Sequence, residues 1–221
     1  PSRGLGDVYK RQDLGSKTAN VWVKADTALT TGGTYDFEMY YLNPSAQSNS
    51  NPNNVFRINE IFLTTGRCTG TGNCDMDTDA EANILRQNIG IDAAMGIDGT
   101  GYVTSVDQLD NPYGTDDNYF TRYRLLYIPT ASASHTFGTK SDDDSQVSIS
   151  SSDSYGNGLN GIGNFDVVTT QYGNWHQNAN CGETTATRGT RFFNANSGYW
   201  LEYLHIEGTG GNLQQMCADT G

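Results

Sequence analysis

Three consecutive carboxylates, Asp142, Asp143 and Asp144, stand between two alternating segments, His135 to Thr139 and Gln146 to Ile149. Neighbouring acids repel one another, and Lys140 is the only cation beside them in the chain. A hard cation would remove that repulsion, and calcium suits the task because it accepts about six to eight oxygen ligands in flexible geometry. The plain alternative is an acidic turn solvated by water. Whichever holds, the run falls where one strand ends and the next begins, so the elements around it must aim the carboxylates.

Other residues offer less defined chemistry. Asp75-Met76-Asp77-Thr78-Asp79 opens like a calcium loop, but Ala80 replaces the needed glycine and Arg86 stands where a bidentate acid belongs, so it is not an EF-hand. A looser calcium site in this linker is the remaining reading. Tyr172, Asn174, Trp175 and His176 share one polar loop; an aromatic ring beside amide groups suits stacking and hydrogen bonding to a sugar. The same residues also read as an ordinary loop anchor beneath Cys181. The four cysteines, Cys68, Cys74, Cys181 and Cys217, lack zinc-type spacing, and their even number suits an oxidising compartment. Three pairings are possible; Cys68–Cys74 is expected because its loop is short and flexible, leaving Cys181–Cys217. Nucleophile elbow, phosphate loop and metal-hydrolase patterns are absent, so no enzyme is expected.

The 221 residues carry a formal net charge of −12, which argues against nucleic acid and anionic membranes as partners. No apolar run approaches the roughly 20 residues needed to span a bilayer. Helical periodicity is confined to Asp79–Asn88, whereas short alternating segments recur at Ala19–Lys24, Tyr35–Leu42, Val55–Leu63, Tyr119–Ile128, Phe165–Thr170 and Tyr199–Ile206. This pattern predicts an all-β protein, a sandwich or jelly-roll-like barrel with long polar loops. In Tyr119–Ile128, Tyr119, Tyr123, Leu125 and Tyr127 share one face and Arg122 and Arg124 the other, which predicts a strand wetted on its arginine side. Residues 1–12 read as an adapter-derived sequencing artefact, and the chain is expected to begin within a longer protein. Thr31–Asn43 reads like Asn196–Glu207, so residues 13–66 are expected to be strands of a preceding repeat or an N-terminal extension. On the second reading that extension belongs to the sandwich itself; residues 67–79 then read as a Cys/Asp linker and 80–221 as the main sandwich.

Tyr119 to Pro129, followed by Thr136-Phe137 and Ser141-Asp142-Asp143, resembles the central signature of the protective-antigen-type (PA-fourteen) domain. Asn196 to Glu207, with Gly208-Thr209-Gly210-Gly211-Asn212-Leu213 after it, is similar to that family's closing strand and Glu-x-x-Gly-Gly loop. The resemblance implies the function of the family's calcium-dependent lectin domains, those of flocculins and bacterial surface adhesins. In these, two adjacent aspartates joined by a cis peptide and a second loop hold calcium, and the sugar binds the ion through two hydroxyls. Carried over, Asp142 and Asp143 match the aspartate pair, Glu207 the side-chain ligand of the second loop, and Thr209 and Gly211 its carbonyl donors. Asp144 stands where the family has glycine, and Glu207 where the lectins have asparagine. The implied protein is a calcium-dependent carbohydrate-binding module of an extracellular or cell-surface adhesin, a monomeric unit in a longer chain with glycans as partners. The alternative is a spacer domain, or a module appended to a secreted glycoside hydrolase.

Overall fold

The computed structural model of the protein describes residues 60–69, 75–90, 95–150, 165–172 and 188–219, and the backbone of two strands nearer the N-terminus. It divides into two units, 1–58 and 59–221. In the first, β1 (Val8–Asp13) and β2 (Thr18–Val23) form an antiparallel hairpin with Val8 opposite Val23.

The second unit is a sandwich of two antiparallel sheets. Its strands are β3 (Ile61–Arg67), β4 (Ile97–Val103), β5 (Asp107–Gln108), β6 (Tyr119–Tyr127), β7 (Ala133–Asp142), β8 (Asp144–Ser150), β9 (Phe165–Gln171), β10 (Arg188–Phe193), β11 (Tyr199–Glu207) and β12 (Leu213–Asp219). The larger sheet runs β4-β3-β6-β11-β8-β9 and the smaller β10-β7-β12-β5. Ile61–Arg67 is an internal strand of the larger sheet, so residues 61–66 extend the sandwich and Arg67 belongs to a strand.

Alternation explains the core. Leu63, Tyr123, Val147, Ile149, Leu201 and Tyr203 point from the larger sheet toward Phe137 and Phe193 of the smaller one. Phe193 stacks edge-on against Tyr199 with ring centroids 4.8 Å apart. The opposite face of the larger sheet is also covered. Phe120, Leu204 and Ile206 pack there against Met76, Ala82, Leu85 and Ile89 of helix α1 (Asp79–Asn88) and its flanks. The helix starts where Thr78 caps it, its hydroxyl oxygen accepting the Glu81 N–H at 3.2 Å while the hydroxyl proton goes to the Glu81 carboxylate at 2.8 Å.

This helix corrects the expectation of a wetted face for Arg122 and Arg124. Arg124 is buried, and its Nε donates at 2.7 Å to Glu202, which also takes the Nε–H of Arg86 from the helix. Burial alone would raise the Glu202 carboxyl, but Arg124, Arg86 and Arg122 outweigh it and hold the group down at about 2. Cys68 and Cys217 are each disulfide-bonded; their expected partners, Cys74 and Cys181, lie outside the described residues.

Candidate functional site

Two crossovers between the sheets lie side by side. The chain leaves the smaller sheet at Asp142, passes Asp143 and enters the larger one at Asp144. It returns from Glu207 at the end of β11, through Gly208–Asn212, to Leu213. Strand pairing brings them together, because Leu213 lies opposite Asp142 in one sheet and Ile206 opposite Asp144 in the other. The Asp142–Asp143 peptide is cis.

The corner is held by hydrogen bonds from both loops. Asp143 donates its N–H to the Ile206 carbonyl at 3.2 Å, and Gly208 donates its N–H to Asp143 Oδ2 at 3.0 Å. Gly211 lies so close to Asp142 that an added Cβ would sit 2.8 Å from Oδ2 and push that carboxylate aside. Thr209 is exposed at the loop tip. Beneath the corner, buried His205 donates from Nε2 to the Asp142 carbonyl at 2.8 Å. A carbonyl only accepts, which places the proton on Nε2, and burial lowers the imidazole to about 4, so the ring is neutral at pH 7.

Glu207 is the anomaly. It is completely buried (0 % exposed), and neither carboxylate oxygen has a hydrogen-bond partner. Burial, then the charges of Asp143, Asp142, Asp117 and Asp144, push its carboxyl up to about 8. Asp142 is raised as well, by burial first and then by Asp143. A buried acceptor with no donor costs free energy unless something positive meets it. Asn212, in the same loop, also has a buried Oδ1 without a partner. Oxygen-only groups of this charge fit a hard divalent cation, calcium above all.

A third segment, absent from the sequence reading, braces the second loop. Asn118 donates its N–H to the Gly208 carbonyl at 2.5 Å, and the Gly210 N–H reaches Asp117 Oδ1 at 3.4 Å. Gln214 Nε2 donates to the Asp110 carbonyl at 3.2 Å, while Asn212 Nδ2 reaches Asp110 Oδ1 at 3.5 Å. Asp117 and His205 carry no chemical motif; the bracing loop places the first and the register of β11 the second.

The Asp144 side chain turns away from the corner's inner face, although its charge still acts on Glu207. It lies opposite Ile206, whose side chain packs beneath α1, and strand alternation turns Glu207 to the other side. There the carboxylates of Asp144, Asp75 and Asp77 have oxygens within 4.8 Å of one another; acids so grouped do not by themselves define a metal site. Tyr172 also belongs to the helix side. Its hydroxyl donates to Asp79 at 2.7 Å and accepts from Gln146 Nε2 at 2.6 Å, so it anchors the start of α1. Asn174, Trp175 and His176 lie outside the described residues.

Two antiparallel sheets, joined by paired crossovers that carry the acids, make this an all-β sandwich. The chain is similar to the Epithelial Adhesin 9 A domain from Candida glabrata solved in complex with Galb1-4GlcNAc, with a TM-score of 0.50 and 12% identity over 72% of this chain and 80% of that one. The same domain in complex with Galb1-3GlcNAc gives a TM-score of 0.50 and 9% identity over 72% and 81%. A PA14 domain of the MpAFP antifreeze protein is matched at a TM-score of 0.47 and 8% identity over 73% and 82%. Residues 8–67 match a family described as a domain of unknown function, DUF2341. That match takes in residues 8–12, which also form most of β1, so nothing supports setting the N-terminal residues aside as an artefact. No curated protein matches the chain.

Proposed function

We propose that residues 59–221 form a calcium-dependent carbohydrate-binding module of an adhesin, acting at the cell surface or outside the cell and binding glycans without catalysis. The observation that carries this reading is the buried, partnerless carboxylate of Glu207 facing the charges of Asp142 and Asp143. Asp142, Asp143 and Glu207 would hold the ion, with Thr209 and Gly211 offering backbone carbonyls from the second loop. Bound calcium supplies open coordination positions that two neighbouring sugar hydroxyls can take in place of water. The protein's part is to present the acids together. His205 fixes the Asp142 carbonyl, Gly208 fixes the Asp143 side chain, and the Asp110–Asn118 segment steadies the second loop. The solved adhesin domains of similar fold were crystallised with galactose-containing disaccharides, and this supports a glycan as the ligand class.

Calorimetric titration with calcium, followed by a glycan array with and without chelator, tests the reading. Extracellular modules of this kind bind calcium at ~10⁻⁴–10⁻³ M, so the melting temperature should rise at millimolar calcium by mass action. Asp143→Asn should abolish both that rise and sugar binding while the sandwich stays folded. A wild type and an Asp143→Asn variant that respond alike to calcium would leave the acidic corner a solvated turn and the domain a spacer.

A further inference from the structure

One exposed aromatic residue is seated in an unusual way. In β4, an edge strand of the larger sheet, Gly99 and Gly101 alternate. Glycine inside a strand weakens it and marks where another group approaches the backbone closely. Here the approaching group is the Tyr113 ring: a Cβ on Gly99 would overlap the ring at its Cγ end, and one on Gly101 would overlap its hydroxyl. The ring therefore lies lengthwise on the strand, yet the residue keeps 44% of its surface exposed. Its backbone is fixed as well. The Tyr113 N–H donates to Asn111 Oδ1 at 3.2 Å, and Nδ2 of the buried Asn111 donates to the Thr115 carbonyl at 3.1 Å. The next residue, Gly114, is pressed against Asp98, which pairs with Arg67 at 3.0 Å; the Arg67 side chain is 59% exposed.

The segment carrying Tyr113 is the one that braces the second loop of the carboxylate corner. Arg67 lies opposite Tyr119, and Tyr119 opposite Glu207, so the three side chains share one face at one end of the sheet. Two strand spacings separate Arg67 from Glu207, roughly 10 Å.

We propose that Tyr113, with the Arg67–Asp98 pair, forms an extended subsite for the inner sugar residues of a glycan chain whose terminal residue is held at the Asp142, Asp143 and Glu207 corner. The proposal rests on the sugar-binding reading above. A pyranose ring has an apolar C–H face and a polar edge. An aromatic face open on one side accepts the first, and a guanidinium beside a carboxylate offers donors and acceptors to the second. The ligand class is accordingly an oligosaccharide chain rather than an isolated monosaccharide.

The test uses the full chain, millimolar calcium, and an array presenting each terminal sugar both as the monosaccharide and within longer chains. Wild type should prefer its longer glycan over the corresponding monosaccharide by about tenfold, the ratio one well-stacked ring supplies. Tyr113→Ala should bring that ratio near one, with monosaccharide and calcium affinities within about twofold of wild type. Tyr113→Phe, which keeps the ring, should retain the preference. If Tyr113→Ala fails to fold, Arg67→Ala on its exposed side chain is read the same way. A folded Tyr113→Ala or Arg67→Ala with an unchanged ratio overturns the subsite, as does a wild type indifferent to chain length; both leave the calcium corner standing. A wild type that binds neither calcium nor any sugar overturns the corner and the subsite together.

Discussion

Glu207 gives the protein a pH response whose sign follows from its surroundings. A carboxyl raised above its ordinary 4.5 to about 8 contributes its full stability below 4.5 and loses it as pH rises through about 8. His205 works in the other direction. Lowered from 6.5 to about 4, it contributes fully above 6.5 and loses its stability as pH falls through 4. The two overlap below 6.5, so the window from there to about 8 isolates Glu207. In chelator, the melting temperature should fall across that window. Millimolar calcium should flatten the fall, because the ion favours the ionised carboxylate. Melting curves that stay level in chelator from pH 6.5 to 8 would remove Glu207 from the electrostatics of the corner. His205 also has a positional role. His205→Leu deletes the donor to the Asp142 carbonyl and should weaken calcium binding by about 10–100-fold, as loss of outer-shell partners does. His205→Gln, which can place an amide N–H in the same region, should recover part of the loss in calorimetric titration. Equal affinities for His205→Leu and wild type would make this histidine mere filling.

Among the elements, α1 depends on a buried charge cluster. Glu202 receives Arg124 from its own sheet and Arg86 from the helix, and Arg86 Nη2 also donates to Ser148 Oγ at 2.9 Å. Glu202→Ala would leave two guanidinium groups buried without their counter-ion, and should cost about 3–5 kcal/mol in denaturant melts. Breaking the Arg191–Asp166 pair, whose aspartate is 57% exposed, should cost less than about 1 kcal/mol. A Glu202→Ala variant as stable as the Asp166→Ala variant would mean that the helix is held by its apolar face alone. The helix itself was legible in the sequence, since it has a threonine cap and an acidic first turn. So were β6, β8 and β11, whose apolar alternation is regular. β4, β10 and β12 were not, because glycines, arginines and glutamines interrupt the pattern and only pairing with neighbours makes them strands. The arginines of β6 misled for a related reason: charge on an alternating strand signals water unless a partner of opposite charge comes from elsewhere in the sheet. The nearness of the aspartate pair to Glu207 could be expected from local motifs. The placing of His205, Asp117 and Tyr113 could not, because strand register and the bracing loop bring them into position.

At the scale of the whole molecule, the match of residues 8–67 to one family runs across the boundary between the two units and ends with β3, a strand inside the sandwich. The paired crossovers have a mechanical meaning. At one end, the two sheets exchange strands twice, at Asp142–Asp144 and at Glu207–Leu213, with no more than a short loop between them. Under load the sheets should behave like two leaves on one hinge, and an ion shared by both crossovers would be the pin. Single-molecule pulling should then give a rupture force that rises with calcium and returns to its lower value in chelator. A force indifferent to calcium would show that the leaves are clasped by their hydrophobic filling alone. On the proposed reading, such a pin would couple grip on the ligand to resistance against being torn open.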